Sequence, residues 1–196
     1  MQKKTGTKTL ALLFCAVLIA AVSVFTTVAF LKDSDSVKNT FTVGKVAITL
    51  DEAKVDEYGR AVDGASRVKD NSYKLIPGHE YKKDPTVHFA AGSEASYLFV
   101  RVDDGITQIE AGTTIAAQIL ANGWTKLADV GGVYWKQVQA NTGTAAVDYP
   151  VFGSFTLKGE ADVDAYANAK ITVTAYAIQA DGFADAAAAW TAGNFR

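Results

Sequence analysis

Cysteine is almost missing from this chain. The one cysteine, Cys15, and the one methionine, Met1, both fall within the first 29 of 196 residues. Residues 30–196 therefore can make no disulfide and no thiolate metal site, and offer no thiol nucleophile. Such a segment has to be held by core packing, and a chain of this length buries roughly 70% of its unfolded surface. Histidine is nearly as scarce, with His79 and His88 alone. His79-Glu80 begins like a zinc-protease helix, but that motif needs a second histidine four residues on, and position 83 is lysine. Pro77-Gly78 before it and Pro85 after it disfavour any helix there. A G-x-S-x-G elbow is absent, and Gly131-Gly132 reads as a tight turn, not a phosphate cradle.

A basic stripe is missing too. The whole chain has 19 Lys+Arg against 21 Asp+Glu, and residues 1–29 hold three lysines and no acid. Residues 30–196 are left with 16 basic and 21 acidic side chains, a formal net charge of −5. That balance excludes nucleic acid as the expected partner.

What is present begins with residues 10–31, an uncharged apolar run of 22 residues preceded by Lys3, Lys4 and Lys8. A basic head, an apolar body and small residues near the end read as a signal-peptide helix. Thr27 and Ala29 stand at the positions a signal peptidase requires, so cleavage is expected between Ala29 and Phe30. The same run is long enough to span a bilayer if it stays uncleaved, which would be the chain's one membrane contact. The domain reading is a signal peptide over 1–29, a polar N-terminal segment over 30–39 and a single domain over 40–196.

Apolar residues alternate through most of that domain. Phe41 and Val43, then Val46, Ile48 and Leu50, mark one bent strand over 40–50, with a bulge at Gly44-Lys45 where the phase slips. Residues 51–72 are charged and read as a long loop or ragged hairpin, followed by a turn at Pro77-Gly78. Strands are expected at 86–89, 97–102, 133–138, 149–157 and 171–178, with 97–102 central and covered on both faces. A helix over 113–122 would carry Ile115, Ile119 and Leu120 on one face and close at Gly123, and a second over 184–192 would end at Gly193. The segments 51–71 and 105–123 are expected as surface insertions. The fold class is all-β with minor α, an antiparallel β-sandwich with one or two short helices.

Two sets of residues suggest chemistry. His79, His88 and Glu80 would have to converge in space to hold zinc, and the plainer reading is a turn histidine and a strand histidine. Trp124 and Trp135, with Tyr134 between them in sequence, suggest a sugar-stacking platform, set against ordinary packing of a sandwich core. Tyr134 and Trp135 point to opposite strand faces, so one of them at most joins Trp124. The acidic pairs Asp33/Asp35, Asp103/Asp104 and Asp162/Asp164 lack EF-hand spacing and read as solvated turns. No cofactor is implied.

Three stretches together carry a family resemblance. They are Thr27-Val28-Ala29-Phe30-Leu31-Lys32-Asp33 followed by residues 39–46, then residues 75–87 running on through Gly92-Ser93-Glu94 to residues 97–100, then residues 175–183 with Trp190 after them. The chain resembles the TasA/camelysin family of secreted Gram-positive proteins, in the branch processed by a dedicated signal peptidase of the endoplasmic-reticulum type. The resemblance implies a jelly-roll-like sandwich, secreted to the extracellular matrix or cell surface, whose freed N-terminus inserts as a strand into the next copy or a related subunit. Repeated head to tail, that makes a biofilm-matrix fibre. The matching donor strand is Phe30, Leu31, Lys32, Asp33, Ser34, Asp35, Ser36 and Val37, and the family motif falls on Phe41, Gly44, Pro77, Gly78, Tyr81, Lys83, Asp84 and Pro85. Part of the family has been labelled a metallopeptidase, but this sequence supplies no zinc motif, so no enzyme activity is carried over. The rival expectations are a cell-surface zinc peptidase using the two histidines and a carbohydrate-binding module using the tryptophans.

Overall fold

β-branched and aromatic residues in alternation give ten strands among the described residues. The computed structural model describes residues 44–195. In chain order the strands are β1 (Ile48–Asp51), β2 (Glu80–Lys82), β3 (Thr86–Phe89), β4 (Ser96–Asp104), β5 (Glu110–Ala111), β6 (Thr125–Lys126), β7 (Val133–Val138), β8 (Val147–Pro150), β9 (Ser154–Leu157) and β10 (Ile171–Gln179). Two short helices, α1 (Ile115–Ala121) and α2 (Ala186–Gly193), complete the regular structure of the described residues with two single turns of 3-10 helix. The strands form three antiparallel sheets of order β1-β3-β8, β10-β4-β7-β6 and β2-β9-β5. This is a mostly β architecture consistent with an antiparallel sandwich.

β4 organises the core. It lies between β10 and β7, and its alternate side chains enter two different clusters. Leu98, Val100 and Val102 face the main core with Val87 and Phe89 of β3, while Tyr97 and Phe99 face a second cluster closed by Ala186, Ala189 and Trp190 of α2. A strand apolar on both sides is thus central and covered twice, as its sequence predicts. The third sheet adds Tyr81, Phe155 and Leu157 to the main core.

Several expectations need correction. Strand 40–50 is shorter: only Ile48–Asp51 is ladder, and 40–43 lie outside the described residues. Residues 45–47 run beside the 90–94 turn instead, where Glu94 N–H donates to Lys45 O (2.9 Å), Ala90 N–H to Ala47 O (3.0 Å) and Ala47 N–H to Ser93 Oγ (3.2 Å). The 149–157 strand is two strands in two sheets. Val151 N–H donates to Pro85 O, and the chain then crosses to the third sheet at Gly153, where Gln118 Oε1 accepts the N–H groups of Gly153 and Ser154. Segment 105–123 is no surface insertion, since Ile106, Ile109, Ile115 and Ile119 all enter the main core.

Both helices follow their caps. Thr114 Oγ1 accepts Ala117 N–H at 3.2 Å and opens α1, and Gly123 follows its end at φ +78°. Leu120 is 51% exposed, because a residue five beyond Ile115 falls off the 115/119 stripe. α2 starts later than expected because Asp185 is the cap, its Oδ1 taking Ala188 N–H at 2.8 Å. Gly193 stays helical and Asn194, at φ +48°, is the left-handed terminator. The ragged hairpin over 51–72 is present, with bridges Glu52↔Val68 and Val55↔Ala61.

Candidate functional site

The three sheets of the described residues have six edge strands, and five of them are blunted. β8 carries Asp148 and Pro150, β6 is two residues long and ends in Lys126, β1 is four residues long and ends in Asp51, β2 is three residues long with Glu80 and Lys82, and β5 is two residues long with Glu110. Charge, proline and shortness are the usual guards against strand addition. β10 has none of them. It is a nine-residue strand, Ile-Thr-Val-Thr-Ala-Tyr-Ala-Ile-Gln, without a charge or proline. Ala180 N–H donates to Ala95 O, in register with the β10–β4 ladder. By the alternation of antiparallel pairing, even-numbered residues bond to β4, and the backbone of Val173, Ala175 and Ala177 faces the edge that has no strand partner among the described residues.

Beside that edge lies a groove of about 1180 Å³. One wall is Leu50, Asp51 and Glu52 at the end of β1, the other is Ile171, Val173 and Ala175 of β10, and Phe155 and Ile106 reach it from the core. It is therefore bordered by edge strands of two different sheets. Its rim carries both signs, Lys69, Asp70 and Lys170 among them.

The stretch 77–85 anchors the groove's flank. Pro77-Gly78 makes the expected turn, Gly78 at φ +74° and His79 N–H returning to Ile76 O at 3.2 Å. Tyr81 is wholly buried, stacks on Phe155 at 4.8 Å, donates its hydroxyl to Lys74 O and accepts Ile76 N–H, each at 2.7 Å. Lys83 ion-pairs with Glu52 at 2.6 Å. Asp84 accepts Ala53 N–H at 2.6 Å and faces Arg67 and Lys82. Tyr81, Lys83 and Asp84 thus pin 52–75 to the sheets. A Cβ on Gly44 would meet Glu94 Cγ at 3.0 Å and Gln179 Oε1 at 3.2 Å, so the chain passes close to the end of β10 there. Phe41, the Ala29/Phe30 junction and the donor residues 30–37 lie outside the described residues.

No protein-family model matches the chain, and no curated protein or solved structure is similar to it at a significant level.

The two histidines have separate surroundings. His79 Nε2–H donates to Tyr58 O at 2.9 Å and its ring meets Tyr81 edge-on. His88, on β3, has Nε2 2.9 Å from Asp51 Oδ1 on β1 and Nδ1 2.6 Å from Asp148 Oδ1 on β8. Glu80 is exposed on β2, and its carboxylate joins neither ring among the contacts of the described residues. Burial lowers the His88 pKa, but the bonds and charges of Asp51 and Asp148 outweigh it and hold it above its ordinary value. Burial raises the Asp51 pKa, and the bonds and charges of Arg67 and His88 overcome this and hold it below its ordinary value.

The aromatic platform is not assembled. Trp124 is 2% exposed and donates Nε1–H to Pro150 O at 2.8 Å, while Trp135 packs edge-on against Tyr97 in the second cluster. Lys136 lies between the Trp124 and Tyr149 rings at 5.4 and 5.6 Å, and burial lowers its pKa. Asp104 and Asp162 accept nearby backbone N–H groups as turn residues.

Sequence reasoning missed Glu52, Asn71, Arg67 and Asp148 as bonded groups. For Glu52 the signal was there: the inward phase of 46, 48 and 50 continues to 52.

Proposed function

We propose that this chain is a secreted structural protein that assembles by strand addition, residues 30–37 of one copy lying along β10 of the next. The carrying observation is the β10 edge, which has no strand partner among the described residues, beside a groove lined by both apolar and charged side chains. Eight extended residues span about 26 Å at roughly 3.3 Å each, which matches a nine-residue strand to within one residue. Affinity comes from main-chain hydrogen bonds along β10, with Phe30, Leu31 and Val37 the donor's apolar side chains. Each would contribute about 1.5–3 kcal/mol if fully buried. Donor and acceptor are different surfaces of the same chain, so the contact does not close on itself and grows a filament. In this reading the subunit is a jelly-roll-like sandwich at the cell surface or in the matrix, freed by cleavage before Phe30, and it turns over no external substrate.

A synthetic peptide of residues 30–39 tests the reading directly. Added to a version of the protein that begins at Asn39, it should raise Tm. At about 100 times its Kd the added stability is about 2.7 kcal/mol, or roughly 5–10 °C for a chain of this size. A Tm that stays fixed up to millimolar peptide, while a scrambled peptide behaves identically, would contradict it.

A further inference from the structure

Glu52, Asn71 and Lys83 meet where the 52–75 segment crosses β2. Glu52 holds Lys83 Nζ on Oε2 at 2.6 Å and receives the Asn71 amide Nδ2–H on Oε1 at 2.9 Å. Asn71 is fixed at its other atoms as well. Its Oδ1 accepts Val55 N–H at 3.0 Å, and Nδ2 also donates to Ala53 O at 2.9 Å. The Lys83 and Glu52 side chains are 10% and 5% exposed, and the Tyr73 ring centre lies 6.0 Å from Nζ. An amine and a carboxamide therefore share one buried carboxylate, and the carboxamide oxygen already has a backbone donor.

We propose that Lys83 Nζ and Asn71 Cγ join in an intramolecular isopeptide bond, with Glu52 as the catalytic proton carrier. Glu52 takes one proton from the Lys83 ammonium, and the freed lone pair forms the Nζ–Cγ bond. The carbonyl π pair moves onto Oδ1, where Val55 N–H is aimed at the developing negative charge. Glu52 then gives its proton to Nδ2, the oxyanion pair returns to Cγ, and the Cγ–Nδ2 bond breaks to release ammonia. The surplus amine proton passes through Glu52 and leaves with the ammonia as ammonium. No oxidant, metal or co-reactant enters the balance. Low exposure strengthens each of these electrostatic contacts relative to water, and the groove that Glu52, Asn71, Tyr73 and Lys83 help to line gives ammonia a way out. The bond ties the hairpin segment to the end of β2, a covalent closure in a region that has no cysteine for a disulfide.

Intact-mass measurement of the whole purified protein, with tandem mass spectrometry of its proteolytic digest, tests this. The mass should fall below the sequence mass by one ammonia, and Asn71 and Lys83 should be recovered in one branched peptide. Lys83→Arg and the near-isosteric Glu52→Gln should each return the sequence mass. A wild-type protein at the sequence mass, with Asn71 and Lys83 in separate peptides, overturns the bond. So does an ammonia loss mapped inside a single peptide as a succinimide. A branched peptide that persists in Glu52→Gln overturns the carrier role. The wild-type result stands whether or not the variants fold.

Discussion

His88 has a carboxylate oxygen within hydrogen-bond reach of each ring nitrogen, and only the doubly protonated ring donates to both. Its pKa is held above the unfolded value of about 6.5. The stabilisation is therefore complete below about pH 6.5 and is lost as pH rises through the folded-state pKa. Asp51, held below its ordinary value, contributes in the opposite sense, fully above about pH 4 and less as pH falls through its folded-state pKa. Asp148 is 61% exposed on its side chain, so its share is screened by solvent. His88→Gln should flatten the fall in stability above about pH 6.5, an effect of order 1 kcal/mol, measured by urea unfolding across pH. Parallel pH profiles in both proteins would contradict it. Tyr81→Phe keeps the stacked ring but leaves Ile76 N–H without its acceptor. A loss of about 1–3 kcal/mol is expected in the same assay, against none if that amide finds water.

At the scale of elements, β10 is the decisive strand. Ala175→Pro removes an N–H that faces the open edge and leaves the even-numbered bonds to β4 in place. The variant should stay folded by circular dichroism yet form no filaments, while normal filaments would exclude this edge as the acceptor. Elements were legible where a local rule decided them. The alternation of 171–178, the doubly apolar 97–102 and the Thr114 cap with Gly123 each fixed an element within two residues. Illegible parts were decided by distant partners. The 149–157 run divides because Pro85 and Gln118 hold its middle, and strands as short as β5 and β6 exist only through β9 and β7. Asn71 reads as a solvated loop group, and the inward phase of Glu52 signals its burial but not its partner, because nothing within 51–72 announces Lys83 as their neighbour.

For the molecule as a whole, the pattern of edges carries the argument. Among the described residues, guards stand on β1, β2, β5, β6 and β8 and are missing from β10, and the groove beside β10 lies between the edges of two sheets. A chain that guards five short edges and leaves one long edge unguarded is arranged to accept one extended segment in one place. Electron microscopy of purified residues 30–196 beside a version beginning at Asn39 tests that claim most directly. The account predicts filaments from the first and monomers from the second. Monomers from both, or filaments from both, would contradict it.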